Sequence, residues 1–434
     1  MKNPANHVNP VRKPAGDCLR NASFSSSSRD SDTDAFSSDM PSTRQAHSAQ
    51  ATVGHFWRTA ALCGAICGLD SGVFATVLQS LGRLPSCSDM RLSLFAGVTM
   101  IGVLLASLAG GRLSDGWGRR RAIGLGLVIH LIGSLPLVTG VENWSVLYVA
   151  RALQGLGIGL FYIVVPVYLS EMTPEGVRGR RVGAFQLAMV VTMLLGAVLG
   201  TCLRSHALCF AVPMVLSGLL LPIGWLLPEP SHREETDADS GRLFTPANVR
   251  PLVVATLVAV LIPLSGIGVV MDYSVTVFDR AGLGFLGAHV IDLAIKTTNV
   301  TLTVPALLLA DRFGRRPLYI CGTAGMTAGL LLSVLAFVLG DAWSVLAAVG
   351  FLLYIAAFAF GPGVCSWLVM TEVLPQPVRA RGMSFAMTVR NVISFVHASA
   401  FIPLMGTMGM PFAYGLLAFC SAVYLLVALF AVKD

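Results

Sequence analysis

The segment DGWGRR at 115–120 recurs as DRFGRR at 311–316. Farther along each half, Glu171, Arg178 and Arg180 recur, with their mutual spacing kept, as Glu372, Arg379 and Arg381. Each charged group lies between long apolar runs. Matched charged loops between apolar spans indicate a membrane protein built by internal duplication, as many transporters are.

The composition agrees with a membrane location. Of the 434 residues, 55% are hydrophobic and 12% are charged, whereas soluble domains carry about 25% charged residues. The net charge of +7 does not indicate a nucleic-acid partner, because most arginines fall in short loops where cytoplasmic placement explains them. The nine scattered cysteines indicate no metal site. We predict no cofactor and, since no nucleophile–base set or phosphate loop stands out, no enzyme.

Twelve apolar stretches are long enough, at about 20 residues each, to cross a bilayer as helices. They lie near 56–80, 92–110, 122–140, 146–170, 182–203, 208–227, 251–278, 288–310, 317–339, 344–370, 383–406 and 410–432. We therefore predict an all-α polytopic membrane protein with twelve transmembrane helices in two six-helix pseudo-repeat bundles. The predicted parts are a disordered Ser-rich tail at 1–54, an N-terminal bundle at 55–227, a linker at 228–250 and a C-terminal bundle at 251–434.

The loops also predict the orientation of the chain. Basic loops follow the even-numbered spans, and the alternate loops are poorer in Lys and Arg. The positive-inside rule therefore places both termini in the cytoplasm. The plasma membrane is the favoured location, with an organelle membrane as the alternative.

Four further motifs accompany the repeated loops. They are Gly68–Val73 in the first span, Arg151 with Gly155, Gly157 and Gly159 in the fourth, Pro166-Val167-Tyr168 before Glu171, and Gly361-Pro362-Gly363 with Trp367 in the tenth. With these motifs, residues from about 60 to 432 resemble the sugar porter branch of the major facilitator superfamily. The resemblance implies two six-helix bundles around a central site that opens alternately to each side of the membrane.

The charged residues of the repeated loops are candidates for a conformational latch. Acids and arginines at neighbouring helix ends can hold helices together on the cytoplasmic side in one conformation, and a rocking motion would separate them. The alternative is that these charges only set the topology. The candidate latch residues are Asp115, Arg119, Glu171, Arg178, Arg180, Asp311, Arg315, Glu372, Arg379 and Arg381.

Asp70 and Arg151 are charges inside or near the start of apolar spans, where a charge without a partner is costly. The resemblance implies that they pair and that Asp70 carries a coupled proton. A carboxylate whose proton affinity changes as an arginine approaches and withdraws is suited to this role. The alternative is a static structural pair.

The sugar-binding positions of the family are only partly matched. Gln186, Asn299 and Trp367 resemble residues that hold sugar hydroxyls and the sugar ring face. In span 7, sugar porters usually have two glutamines, an asparagine and two tyrosines. This chain instead has Ile262, Pro263, Gly268 and Asp272-Tyr273 at these positions. Each lost hydrogen bond is worth about 0.5–1.5 kcal/mol, so the changes predict weaker hexose binding.

Arg390 in span 11 stands where the family usually has an asparagine. It either binds a carboxylate or phosphate through charge-assisted hydrogen bonds, or it pairs with Asp272 or another acid in a gate that includes Tyr273. Lys296 in span 8 has a similar choice. It pairs with Asp272 or Asp292, or it extends towards the membrane surface.

We therefore expect a secondary transporter of the sugar porter type. It would move a small polar solute, with a sugar or polyol favoured, by alternating access and proton symport. An organic anion such as a carboxylate is the alternative substrate. A facilitative uniporter and a non-transporting nutrient sensor are the alternative functions. The expected partners are the solute, protons and the lipid bilayer, and the sequence indicates no particular protein partner.

Overall fold

The computed structural model describes residues 43–173, 178–203, 205–229, 243–313, 315–375 and 378–430, and their regular structure is helical. The α-helices are α1 (Thr43–Gly82), α2 (Asp89–Trp117), α3 (Arg119–Val138), α4 (Trp144–Glu171), α5 (Arg178–Leu203), α6 (His206–Leu226), α7 (Pro246–Leu264), α8 (Ile267–Asp272), α9 (Ser274–Phe278), α10 (Gly284–Phe313), α11 (Arg315–Leu339), α12 (Ser344–Phe360), α13 (Pro362–Val373), α14 (Arg379–Met408) and α15 (Met410–Phe430).

These helices form the twelve predicted spans. Within the described part of the chain, ten helical segments are long and apolar enough to cross a membrane. The other two spans are α10, which is 30 residues long and carries Asp292 and Lys296, and the pair α12–α13, which is broken at Gly361. The seventh span is split into α7, α8 and α9. The predicted all-α fold with twelve transmembrane helices is confirmed.

Two helices begin inside segments that the sequence analysis assigned to the tail and the linker. Helix α1 starts at Thr43, inside the segment 1–54 that is predicted to be a disordered tail. No Gly or Pro lies between Pro41 and Gly54, so nothing in the local sequence ends the helix before the membrane span is reached. Helix α7 starts at Pro246, within the predicted linker 228–250, because proline is well suited to the first turn of a helix.

Glycines allow the helices of the N-terminal bundle to approach closely. A side chain at Gly155 of α4 would collide with the backbone of Thr99 on α2, and one at Gly72 of α1 would collide with Met193 and Gly196 on α5. Small residues let membrane helices pack with their backbones in contact. This packing fixes the α1 and α4 side chains that carry buried charges.

The break in the seventh span follows from its sequence. Gly266 has a φ of +95°, a left-handed conformation that favours glycine, and the helix is interrupted again at Tyr273. Side chains take over part of the lost hydrogen bonding: the Tyr354 hydroxyl donates to the Ser265 carbonyl oxygen at 3.1 Å. Broken transmembrane helices expose backbone and side-chain groups to the protein interior, where a polar site can form.

Candidate functional site

A buried ion pair lies inside the N-terminal bundle. Nη1 of Arg151 donates to both carboxylate oxygens of Asp70, at 3.0 and 2.9 Å, and both side chains are 3% exposed. Three phenylalanine rings, of Phe74, Phe95 and Phe210, surround the guanidinium, with centroids 4.5, 5.7 and 5.4 Å from its central carbon. Cation–π attraction adds to the stability of such a desolvated cation. The predicted partners are therefore in contact, within an apolar enclosure.

A chain of polar side chains extends from this pair into the bundle. Arg151 Nη1 also donates to Gln154 Oε1 at 2.7 Å, and Gln154 Nε2 donates to the Ser134 hydroxyl at 2.8 Å. Ser134 in turn donates to the carbonyl oxygen of His130, whose ring bonds to the hydroxyl of Ser217 at 2.9 Å. The sequence analysis missed these residues. Their signal was present, because each is a polar residue within an apolar span.

A second buried ion pair lies in the C-terminal bundle. Lys296 and Asp292, one turn apart on α10, are both fully buried and form a hydrogen-bonded ion pair. Asp292 also accepts a hydrogen bond from the Ser274 hydroxyl of α9. Lys296 Nζ lies 3.4 Å from the carbonyl oxygen of Met271, at the end of α8. Of the predicted alternatives for Lys296, the structure shows the pairing with Asp292.

Asp272 lies between these two ion pairs, at the end of α8. It is partly exposed, although its neighbours Met271 and Tyr273 are buried. It is within electrostatic range of Arg151 and Asp70 on one side and of Lys296 and Asp292 on the other. Among the described residues, no hydrogen bond or ion pair engages its carboxylate. Asp272 is therefore a partly exposed carboxylate close to charged groups of both bundles.

Other candidate residues border the same region. Tyr162 of α4, 40% exposed, is within electrostatic range of both Asp272 and Arg390. Arg390 is half-buried, with Nη1 3.7 Å from Met387 Sδ. No ion pair joins Arg390 to Asp272 among the described residues, so the structure does not show this one of the predicted pairings.

The predicted solute-binding residues have different environments. Gln186 on α5 is exposed, next to the ring of Phe185 that packs against Tyr162. Asn299 on α10 is buried. Trp367 belongs to α13, but its side chain lies outside the described part of the chain.

Two residues of the seventh span lack the polar side chains that sugar porters usually have at these positions, as the sequence predicts. Ile262 and Pro263 are buried in α7, so no side-chain hydrogen-bond donor comes from these positions. The buried Tyr273 of the predicted gate donates from its hydroxyl to the carbonyl oxygen of Ala398 at 2.9 Å and stacks on Phe401. Tyr273 therefore ties the seventh span to α14.

Part of the predicted latch forms a cluster around Arg119. Its guanidinium contacts Asp115 at 2.5 Å and Glu171 at 3.1 Å. Glu229, which the sequence analysis did not single out, accepts hydrogen bonds from the backbone N–H groups of Arg119 and Arg120 at 2.5 and 3.2 Å. A carboxylate at a helix N-terminus is stabilising. These contacts join α2, α3 and α4 of the N-terminal bundle to the start of the predicted linker.

Most other latch candidates cannot be placed. The side chains of Arg178, Arg180, Asp311, Arg315, Glu372 and Arg379 lie outside the described part of the chain, although their backbone belongs to helices. Arg381 is exposed on α14. The latch role of both repeats remains a prediction.

The loop charges predict that the end of the bundles opposite the arginine-rich loops, the outer end, faces away from the cytoplasm. There, Arg280 of the C-terminal half donates to Asp89 of α2 at 2.6 Å. Thr76 of α1 hydrogen-bonds His289 of α10 at 3.3 Å. Both contacts join the two halves of the chain at the outer end.

Comparison with known proteins gives consistent matches. The family model "Sugar (and other) transporter" matches residues 47–233 and 230–434. The chain is 26% identical over 387 residues to the glucose transporter GlcP of Staphylococcus epidermidis, covering 80% of this chain and 86% of that protein. It is 25% identical over 423 residues to the galactose-proton symporter of Escherichia coli, covering 86% and 90% respectively.

Solved structures show the same fold. The crystal structure of a D-xylose-proton symporter superposes with a TM-score of 0.77 at 23% identity, covering 87% of this chain and 97% of the other. An inward-open conformation of the xylose transporter XylE from E. coli gives a TM-score of 0.76 at 20% identity, covering 88% and 96% respectively. At this level of identity the likeness concerns the fold.

Proposed function

We propose a transport function from the premise that this chain belongs to the sugar (and other) transporter family. The chain is an integral multi-pass membrane protein that transports a solute, in keeping with its sugar-transporting relatives. It moves a small polar solute, a sugar or polyol, by alternating access coupled to proton symport. Both termini face the cytoplasm, and the plasma membrane is the favoured location.

The observation that carries proton coupling is the buried pair of Asp70 and Arg151. An ionised carboxylate that loses its arginine in an apolar enclosure is costly, so separation of the pair favours protonation of Asp70. Re-formation of the pair favours release of that proton. If one bundle conformation separates the pair and the other restores it, proton uptake and release are tied to the transport cycle. The galactose-proton symporter among the relatives supports this mechanism.

Contacts between the two halves at the outer end support alternating access. The contacts Asp89–Arg280 and Thr76–His289 join the two halves there, and a conformation open to the outside would have to break both. The first is an exposed ion pair, which costs little to separate. Separation of this ion pair therefore adds little to the cost of opening the outer end.

Arg390 is the observation that favours the alternative substrate, an organic anion. It is half-buried and within electrostatic range of Tyr162, which borders the space between the bundles. Asp272 opposes this alternative, because its partly exposed carboxylate is within electrostatic range of the same tyrosine and would repel an anion. The geometry therefore favours a solute without negative charge.

Transport by purified protein in liposomes tests the proposal. We expect counterflow exchange of at least one member of a panel of hexoses and polyols, and uphill accumulation when a proton gradient is imposed. Exchange without accumulation would identify a uniporter. Carboxylates that exchange while sugars and polyols do not would favour the anion transporter. Binding without any exchange would identify a sensor.

A further inference from the structure

We propose that Asp272 is a specificity-determining residue that binds a positively charged amine on the transported solute. This inference rests on the proposed function and narrows its substrate class from sugars and polyols to their amino derivatives. It is carried by the position of the carboxylate, by its lack of an ion-pair or hydrogen-bond partner among the described residues, and by the loss of hydrogen-bond donors around it.

The first argument is the position of the carboxylate in the broken seventh span. Asp272 lies one helical turn after Gly268, and side chains on a helix lean back towards its N-terminus. An atom placed where the Cβ of residue 268 would be lies 4.0 Å from Asp272 Oδ2, with no other contact within that distance. Gly268 stands where sugar porters usually have an asparagine. The carboxylate of Asp272 therefore lies beside the position at which the side chain of that asparagine would begin.

The second argument is that the buried cations nearest to Asp272 are already engaged by other acids. Asp70 is paired with Arg151, and Asp292 is paired with Lys296. Asp272 is within electrostatic range of all four of these groups, and the two cations act on it more strongly than the two acids. Neither cation forms an ion pair with Asp272, so its carboxylate keeps its hydrogen-bonding capacity for a ligand. A carboxylate in a poorly solvated site is stabilised by a cation that enters it.

The third argument concerns hydrogen-bond donors. An amide side chain both donates and accepts, whereas an ionised carboxylate only accepts. Ile262, Pro263 and Gly268 replace amide side chains of the family, so this side of the site has fewer hydrogen-bond donors. Asp272 adds a hydrogen-bond acceptor to the same side. An ammonium group carries three donors and no acceptor, so it fits this site better than a hydroxyl, which needs both.

The remaining candidate residues indicate which other groups the solute carries. Gln186 and Asn299 keep amide groups that can bond neutral hydroxyls. A solute that satisfies both parts of the site has several hydroxyls and one basic amine, as in an amino sugar or an amino polyol.

The test compares matched pairs of ligands on the full-length purified protein. Glucosamine is compared with glucose, and 1-amino-1-deoxysorbitol with sorbitol, by thermal stabilisation at about pH 6, where the amines are protonated. We expect each amine to stabilise the wild type at a concentration about tenfold or more below that of its neutral partner, since a charge-assisted hydrogen bond is roughly twice as strong as a neutral one. In Asp272→Asn this preference should disappear.

Asp279→Asn is the matched control, because it removes one negative charge seven residues away, after α9 and near the outer end. It should keep the amine preference. If Asp272→Asn does not fold, Asp272→Ser takes its place. The preference of the wild type for amines over neutral ligands tests the inference without any variant.

Equal affinity for amine and neutral ligands in the wild type would overturn the inference, and so would a preference that survives in Asp272→Asn or is lost in Asp279→Asn. These outcomes leave the proposed function intact. Failure of all four compounds to bind, together with absence of any hexose or polyol counterflow, would overturn the proposed function as well.

Discussion

Arg151 Nη1 donates to Asp70 Oδ1, Asp70 Oδ2 and Gln154 Oε1, at 3.0, 2.9 and 2.7 Å, so a single guanidinium nitrogen is shared by the acid and the amide. Asp70 is thus held by a cation whose own position depends on α4. Movement of α4 relative to α1 would change the distance between the charges, which couples helix packing to the proton affinity of the acid.

Asp70→Asn is expected to abolish accumulation driven by a proton gradient while counterflow exchange remains. The amide keeps the size of the side chain and removes the titrating group. Uptake into proteoliposomes with and without an imposed pH gradient measures the effect, and counterflow in the same preparation is the control for folding. A mutant that still concentrates solute on a proton gradient would show that the coupled proton is carried elsewhere.

Gln154→Leu is expected to destabilise the N-terminal bundle. The change removes a hydrogen bond to a charged group, worth about 1.5–3 kcal/mol, and leaves Ser134 without the donor seen at 2.8 Å. The melting temperature of the purified protein measures the loss.

Gln79→Leu is the matched control for this prediction. Gln79 is buried, and its Nε2 has no hydrogen-bond partner among the described residues, so the same substitution there should cost less. Equal losses in the two variants would mean that the Gln154 bond to Arg151 contributes nothing beyond packing.

Glu171→Gln is expected to loosen the cluster around Arg119. Arg119 and Glu171 are 14% and 8% exposed in their side chains, whereas Asp115 is 60% exposed. The loss at Glu171 should therefore be about 1.5–3 kcal/mol, as for other hydrogen bonds to charged groups. In Asp115→Asn it should stay within about 1 kcal/mol.

Cysteine labelling from the cytoplasmic side measures whether this loosening shifts the protein towards an inward-open state. We expect faster labelling in Glu171→Gln than in the wild type, with Asp115→Asn close to the wild type. Unchanged labelling in Glu171→Gln and in Arg119→Ala would show that these charges only set the orientation of the chain in the membrane.

Apolar runs long enough to cross a bilayer predicted the twelve spans. The charges of Asp70 and Arg151 within such runs drew attention to these residues, and the resemblance to sugar porters implied that they pair. The sequence could not predict the enclosure of Arg151 by Phe74, Phe95 and Phe210. These rings come from three different helices, and in the sequence they look like any other apolar position. Their convergence depends on how the helices pack.

The partner of Lys296 was ambiguous for a different reason. Asp292 lies one turn away on the same helix, and Asp272 lies on a neighbouring span, so sequence spacing allows both pairings. The break of the seventh span at Gly266 and Tyr273 decides between them, because it brings Ser274 to Asp292 and the carbonyl oxygen of Met271 to Lys296. Tertiary structure thus leaves Asp272 outside the pair.

Lys296→Met is expected to be strongly destabilising, and a second substitution should restore most of the loss. Removing one member of a buried ion pair leaves an uncompensated charge and costs about 3–5 kcal/mol, whereas replacing both members by apolar groups is often nearly neutral. We therefore expect a large fall in melting temperature for Lys296→Met and a value near the wild type for Lys296→Met/Asp292→Leu. Ser274 loses its acceptor in the double variant, so recovery should be incomplete by about 1 kcal/mol. A double variant as unstable as the single one would show that Lys296 is held mainly by the Met271 carbonyl, and that the pair with Asp292 contributes little to the fold.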